Sequence, residues 1–210
     1  MKKVFAAIFL LMVTNSYASQ SAITDTGESV ILNSNGTWTY ADDHQNSNQT
    51  TAISVNNESF VKPNESTFLL KSAKNDSAYW INPSVWSFKK STSIGAIEYE
   101  FSMKGKDLYG MAITEEMQIP LEMLAEAALG NAKKAAADAK ITKKEYRNVN
   151  GKKLLYMEMS ATLKGIPFTY VGYYYSDASG STQLVTFTST GLVPKYKSDI
   201  YSLLNGLIFR

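Results

Sequence analysis

The chain has 210 residues, of which 44% are hydrophobic, 12% aromatic and 19% charged, with a single His and no Cys. This is the composition of an ordinary globular protein. The absence of thiols excludes disulfide frameworks, Cys-ligated zinc, iron–sulfur clusters, a cysteine nucleophile and a lipid-modified Cys anchor, and one His excludes every motif that needs two.

Lys2 and Lys3 precede an apolar run from Val4 to Val13, and a polar stretch leads to Ser16-Tyr17-Ala18. This is the pattern of a secretory signal peptide over residues 1–18, cut after Ala18, so the mature chain is expected to be periplasmic or secreted. The apolar run is about half the ~20 residues that a spanning helix needs, and stable membrane insertion is not expected. Removing Lys2 and Lys3 from the 21 basic residues leaves 19 against 19 acidic ones. A neutral chain lacks the basic excess that displaces counterions from phosphates, so no nucleic-acid partner is expected.

Between residues 19 and 41, short β-prone runs are separated by Thr26-Gly27 and Asn35-Gly36, which predicts a small three-stranded meander with Ile31 covering Trp38 and Tyr40. Residues 42–63 are almost entirely polar and predict a linker, because so few apolar groups cannot offset the entropy of ordering the backbone. The only histidine, His44, lies in this stretch beside Asp42 and Asp43 without a second shell to fix it as a ligand, so no metal site is expected.

The body of the protein is predicted over residues 64–210. Short strands are expected at Tyr79 to Ile81 and at Trp86 to Lys89. Ile97, Tyr99, Phe101 and Met103 then alternate with Ala96, Glu98, Glu100 and Ser102, predicting a half-buried strand with the glutamates on its solvated face. A further strand runs from Leu108 to Ile113. Pro120 suits the first turn of a helix extending to about Ala139, with Leu121, Leu124, Ala125, Ala128, Ala132, Ala135 and Ala139 at helical spacing. Four strands follow, at about Ile141 to Asn148, Lys152 to Leu163, Ile166 to Tyr175 and Thr182 to Thr190. Asn150-Gly151, Lys164-Gly165 and Asp177 to Gly180 join them as hairpins. After Pro194 a last helix aligns Tyr196, Ile200, Leu203, Leu204 and Leu207. The fold class is therefore α+β, a mostly antiparallel sheet with packed helices, preceded by the small β meander.

Two resemblances add to this reading. Asp25, Gly27, Val30, Leu32, Asn35, Gly36, Thr37, Trp38 and Tyr40 resemble a short β element near the start of many small exported bacterial proteins. Over about Ser72 to Phe209, the chain resembles the PsbP-like fold in the order of its motifs. These are Tyr79 or Trp80 with Pro83 and Trp86, a helix after an acidic turn, Val149-Asn150-Gly151, the strand beginning Gly165-Ile166-Pro167-Phe168-Thr169-Tyr170, and the closing Leu203-Leu204-Asn205-Gly206-Leu207. The resemblance implies an α-β-α sandwich and a largely non-enzymatic accessory, assembly or binding role.

No G-x-S-x-G elbow, G-x-x-x-x-G-K-(S/T) loop or G-x-G-x-x-G turn is present, so no catalytic residue and no cofactor are expected. The carboxylates Glu98, Glu100, Glu115, Glu116, Glu122 and Glu126 leave open a carboxylate-based hydrolase or small-ligand binder as the alternative. Two features point instead to binding. Lys133, Lys134, Lys140, Lys143, Lys144, Arg147, Lys152 and Lys153 face only Asp138 and Glu145 between Asn131 and Lys153, a basic stretch that could dock an envelope protein or an anionic envelope component. A solvated helix end and an edge strand protected by lysines is the alternative for that stretch. Tyr173, Tyr174 and Tyr175, following Phe168 and Tyr170, either pack between sheet and helices or form an open platform. The expected binding residues are thus Lys143, Lys144, Arg147, Lys152, Lys153, Tyr173, Tyr174 and Tyr175.

Overall fold

A computed structural model describes residues 20–23, 29–32, 38–40, 53–92 and 95–210. The expected signal peptide and the His44 segment lie outside the described residues. The chain divides into two compact units, with the boundary between Ala52 and Ile53.

The first unit contains β1 (Gln20–Ile23), β2 (Ser29–Leu32) and β3 (Trp38–Tyr40), paired antiparallel in that order. The strands are those that the turn signals predict, but the register sets Leu32, not Ile31, opposite Trp38.

In the second unit the chain runs β4 (Ser54–Phe60), β5 (Phe68–Lys71), β6 (Ser77–Ile81), β7 (Trp86–Lys90), β8 (Ile97–Met103), β9 (Tyr109–Glu115), α1 (Leu121–Ala135), β10 (Lys140–Val149), β11 (Lys152–Leu163), β12 (Ile166–Asp177), β13 (Gly180–Ser189), α2 (Val193–Leu204) and β14 (Leu207–Phe209). Eight of these strands form one sheet in the order β4-β10-β11-β12-β13-β9-β8-β7, and β14-β6-β5 form a second. Among the described strands, only the β4/β10 pair is parallel. Adjacent residues of a strand point to opposite faces, and β10 shows what lies on each. The Tyr146 hydroxyl donates to Glu122 of α1 at 2.6 Å, whereas the Arg147 guanidinium lies 5.4 Å from the Tyr201 ring of α2. The helices therefore flank the large sheet on opposite faces. On the α2 side the core joins Tyr156, Tyr173 and Leu184 of the sheet to Ile200, Leu203 and Leu204, with Tyr79, Ile81 and Leu207 of the small sheet. Among the described residues, no helix is long and apolar enough to cross a membrane.

The hairpins of β10 to β12 form where the sequence places them. Asn150 and Gly151 take φ of 50° and 82°, and Lys164 and Gly165 take 49° and 79°, the paired left-handed values of a two-residue turn that matches strand twist. Elsewhere tertiary contacts override the local pattern. The expected linker ends early: Ser54–Phe60 pairs with β10, so β10 is interior and β4 is the edge. The first helix stops at Ala135 rather than near Ala139, because Ala136 turns extended and is buried, and β10 must begin at Lys140 to meet Ser160. Leu207 is not helical either. A Cβ at Gly206 would sit 2.0 Å from the Trp80 carbonyl oxygen, so only glycine allows the chain to pass there, and the Trp80 N–H donates to the Gly206 carbonyl at 2.8 Å. Leu207 then opens β14 opposite Tyr79.

Candidate interaction site

The basic stretch does not form one surface. Strand alternation sends Lys143 and Arg147 to the α2 side and Lys144 to the α1 side, while on β11 Lys152 and Lys153 likewise part. The two sides have different chemistry.

On the α2 side Arg147 is buried, at 4% exposure, and is not available to an external partner. Its Nε and Nη2 both donate to Oε1 of Glu145 at 2.6 Å. Lys143 Nζ reaches Oε2 of the same carboxylate at 3.2 Å, and Asn56 of β4 donates to Oε1 at 3.3 Å. The guanidinium carbon lies 3.4 Å from the Tyr156 ring centre and 4.7 Å from that of Phe60, an arrangement that favours a desolvated cation. Nη1 makes no hydrogen bond. Burial works against the Arg147 charge, but the Tyr173 phenol and the Glu145 carboxylate raise its pKa above the ordinary value. For Glu145, burial is opposed by hydrogen bonds from Arg147, Asn56 and Lys143, which hold the carboxyl below the ordinary range. Around this pair, the Tyr156 hydroxyl donates to Glu158 and lies 3.2 Å from that of Tyr201, and Tyr173 donates to Asn205 at 2.9 Å. Burial first, then the Glu158 and Tyr201 contacts, push the Tyr156 phenol upward, and burial raises Tyr173 to about 12. Phenols held this way stay protonated near neutral pH.

Tyr173 and Tyr174 are fully buried and do not form the open platform that the aromatic run allowed; Tyr175 is half-buried against Phe209, 3.9 Å between ring centres. Both faces of β12 are covered, one by α1 and one by α2.

On the α1 side the groups stay in reach of solvent. Tyr146 donates to Glu122 in an exposed hydrogen bond, Lys153 Nζ stands 4.0 Å above the Tyr146 ring, and Lys144 and Lys153 both add positive charge at Glu122. The Tyr146 hydrogen bond is the main cause that lowers the Glu122 carboxyl, and in return raises the Tyr146 phenol to about 12. Lys133 and Lys134 of α1 are exposed as well. Lys140 is also exposed, but the slip in pairing between Ile141 and Lys143 sets it opposite Ser160, on the α2 side. Lys152 is exposed on that side too. There burial opposes the Asp177 charge, while hydrogen bonds from Ser179 and Tyr175, helped by Lys152, lower its carboxyl.

Glu98 is not on a solvated face. The pairing of β8 with β9 slips between Ile97 and Tyr99, a bulge that inserts Glu98 and turns it inward to 3% exposure. There it accepts from Ser72 Oγ at 2.7 Å, the Ala73 N–H at 2.7 Å and Thr114 Oγ1 at 2.5 Å. Glu100 stays on the outer side, paired with Lys89 at 2.9 Å. Among the described residues, no group of three or more His, Asp or Glu could hold a metal ion.

No family profile matches the chain, and no curated protein is similar to it. Among solved structures, cyanobacterial PsbP (CyanoP) from Synechocystis sp. PCC 6803 superposes with a TM-score of 0.52 at 10% identity, over 68% of this chain and 92% of that one. PA94, a Pseudomonas aeruginosa protein of unknown function, gives 0.43 at 12% identity over 68% of this chain and 96% of that one. A Bacteroides thetaiotaomicron protein gives 0.44 at 11% identity over 69% of this chain and 49% of that one. The chain has the PsbP-like fold, with the α+β architecture that the motif order implies.

Proposed function

We propose that the mature chain is an exported, non-catalytic interaction module that docks an acidic protein surface of the cell envelope through Lys144 and Lys153. The observation that carries this reading is the division of charge across β10. The carboxylate and guanidinium on the α2 side neutralise each other inside the fold, while the ammonium groups on the α1 side gather around Tyr146 and Glu122 within reach of solvent. Surface lysines of one sign steer an oppositely charged partner and set salt-dependent association. The buried acids support the same reading: Glu98 and Glu145 are each held by several donors and form part of the framework.

The test is crosslinking and capture of the tagged mature chain in its native envelope, comparing wild type with Lys144→Glu/Lys153→Glu. A protein partner retained by wild type and lost by the folded variant supports the reading. A partner held equally by both removes these lysines from the contact.

A further inference from the structure

Helix α1 buries Leu124, Ala125 and Ala128 against the sheet and leaves a second face outward. That face carries Met123, 44% exposed, followed by Ala127 and Gly130, both exposed, with no atom within 4 Å of a Cβ built on Gly130, and it ends in the exposed Lys134, whose Nζ donates to Asn131 at 3.2 Å. An exposed methionine with small residues below it lets another helix approach closely. Charge says which helix fits. Glu126 and Lys133 are exposed beside this stripe, seven positions apart and thus within about 20° of each other around the helix. A helix with an acid toward its start and a base toward its end on one flank complements a reversed copy of itself.

We propose that this face joins two copies of the chain, their α1 helices antiparallel about a two-fold axis that meets the helix at the level between Leu129 and Gly130, midway from Glu126 to Lys133. Glu126 of each copy then faces Lys133 of the other, Ala127 and Gly130 lie near the axis, and Met123 covers the helix ends. The contact is isologous, so each charge pair forms twice. In a parallel pair each flank meets the opposite flank of the other copy, so Glu126 and Lys133 do not meet. Formal neutrality of the mature chain removes long-range repulsion between copies. Glu122 takes no part, being bound to Tyr146. A single helix pair falls below the roughly 1,600 Å² of a standard interface, so the dimer is weak and concentration-dependent. This inference does not rest on the docking of an envelope partner and stands or falls separately.

Sedimentation equilibrium of the full mature chain tests it. Wild type is expected to pass from monomer to dimer below about 1 mM, the concentration that corresponds to a bare −4.1 kcal/mol. Glu126→Lys and Lys133→Glu, both at exposed positions, are each expected to raise the dissociation constant at least about tenfold, with Glu126→Lys/Lys133→Glu returning it to within about threefold of wild type. A chain that stays monomeric throughout overturns the proposal. So does a dimer that the single variants leave unchanged, or one that the double variant fails to restore.

Discussion

The guanidinium carbon of Arg147 lies 3.4 Å from the centre of the Tyr156 ring, while two of its nitrogens grip one oxygen of Glu145. Removing one partner of a buried ion pair leaves the other charge uncompensated, so Glu145→Leu is expected to lower unfolding free energy by about 3–5 kcal/mol. Glu145→Leu/Arg147→Met replaces both charges with apolar volume and is expected to recover to within about 1 kcal/mol of wild type. Urea titrations of the three chains decide this; a double variant no better than the single one would show that the charges are needed beyond their mutual compensation.

Asn150 ties three segments together. Its side chain accepts from the Lys62 N–H and donates to the Asn205 and Leu207 carbonyls, each at 2.8 Å, from a backbone with φ of 50°. Asn150→Gly keeps the turn but loses the three bonds, for an expected cost of about 2–3 kcal/mol. Asn150→Ala should cost about 1 kcal/mol more, since alanine is strained in the left-handed region. Alanine proving the milder substitution would contradict this account of the turn.

Much of this was legible in the sequence. Asn150-Gly151 and Lys164-Gly165 announce their hairpins because few residue pairs accept two successive positive φ values, and the alternation of Met157, Met159 and Ala161 marks one buried face of β11. What was hidden depends on partners distant in the chain. Glu98 falls on the outer face under a period of two, and only the slip in pairing with β9 turns it inward. The strand Ser54–Phe60 has no apolar alternation, since two of its residues, Asn56 and Phe60, meet Glu145 and Arg147 from the sheet edge. Arg147 looked like one more surface cation, and the clue to its burial was the period of two that places it beside Glu145 and Val149, away from Lys144.

Glu98→Leu is expected to destabilise the second unit by about 3 kcal/mol, since it strands the Ser72 and Thr114 hydroxyls and the Ala73 amide without their acceptor. Hydrogen exchange at Ala73 should accelerate with it. Unchanged exchange would mean that the carboxylate does not hold the loop between β5 and β6.

Stability should fall at both ends of the pH scale. Burial raises Tyr173 to about 12 and also pushes up Tyr79, Tyr156 and Tyr174. Their stabilisation is complete below the ordinary phenol value of about 10 and declines as pH rises above it, by about 1.4 kcal/mol per pH unit for each phenol that only the unfolded chain ionises. Glu145 behaves oppositely: burial opposes its charge, but Arg147, Asn56 and Lys143 lower its pKa, so its contribution is present above about 4.3 and is lost as pH falls below that. Urea midpoints across pH should show both slopes, the acid one flattened in Glu145→Gln. Ring resonances of Tyr173 or Tyr174 that titrate near pH 10 in a chain still folded would contradict the buried placement.

The division of charge across β10 is tested most directly by capturing envelope partners with two variants side by side. The folded Glu145→Leu/Arg147→Met chain should retain the wild-type partner, and Lys144→Glu/Lys153→Glu should lose it. The reverse result, loss on removing the buried pair and retention after reversing the surface lysines, would place binding on the α2 side and contradict the account.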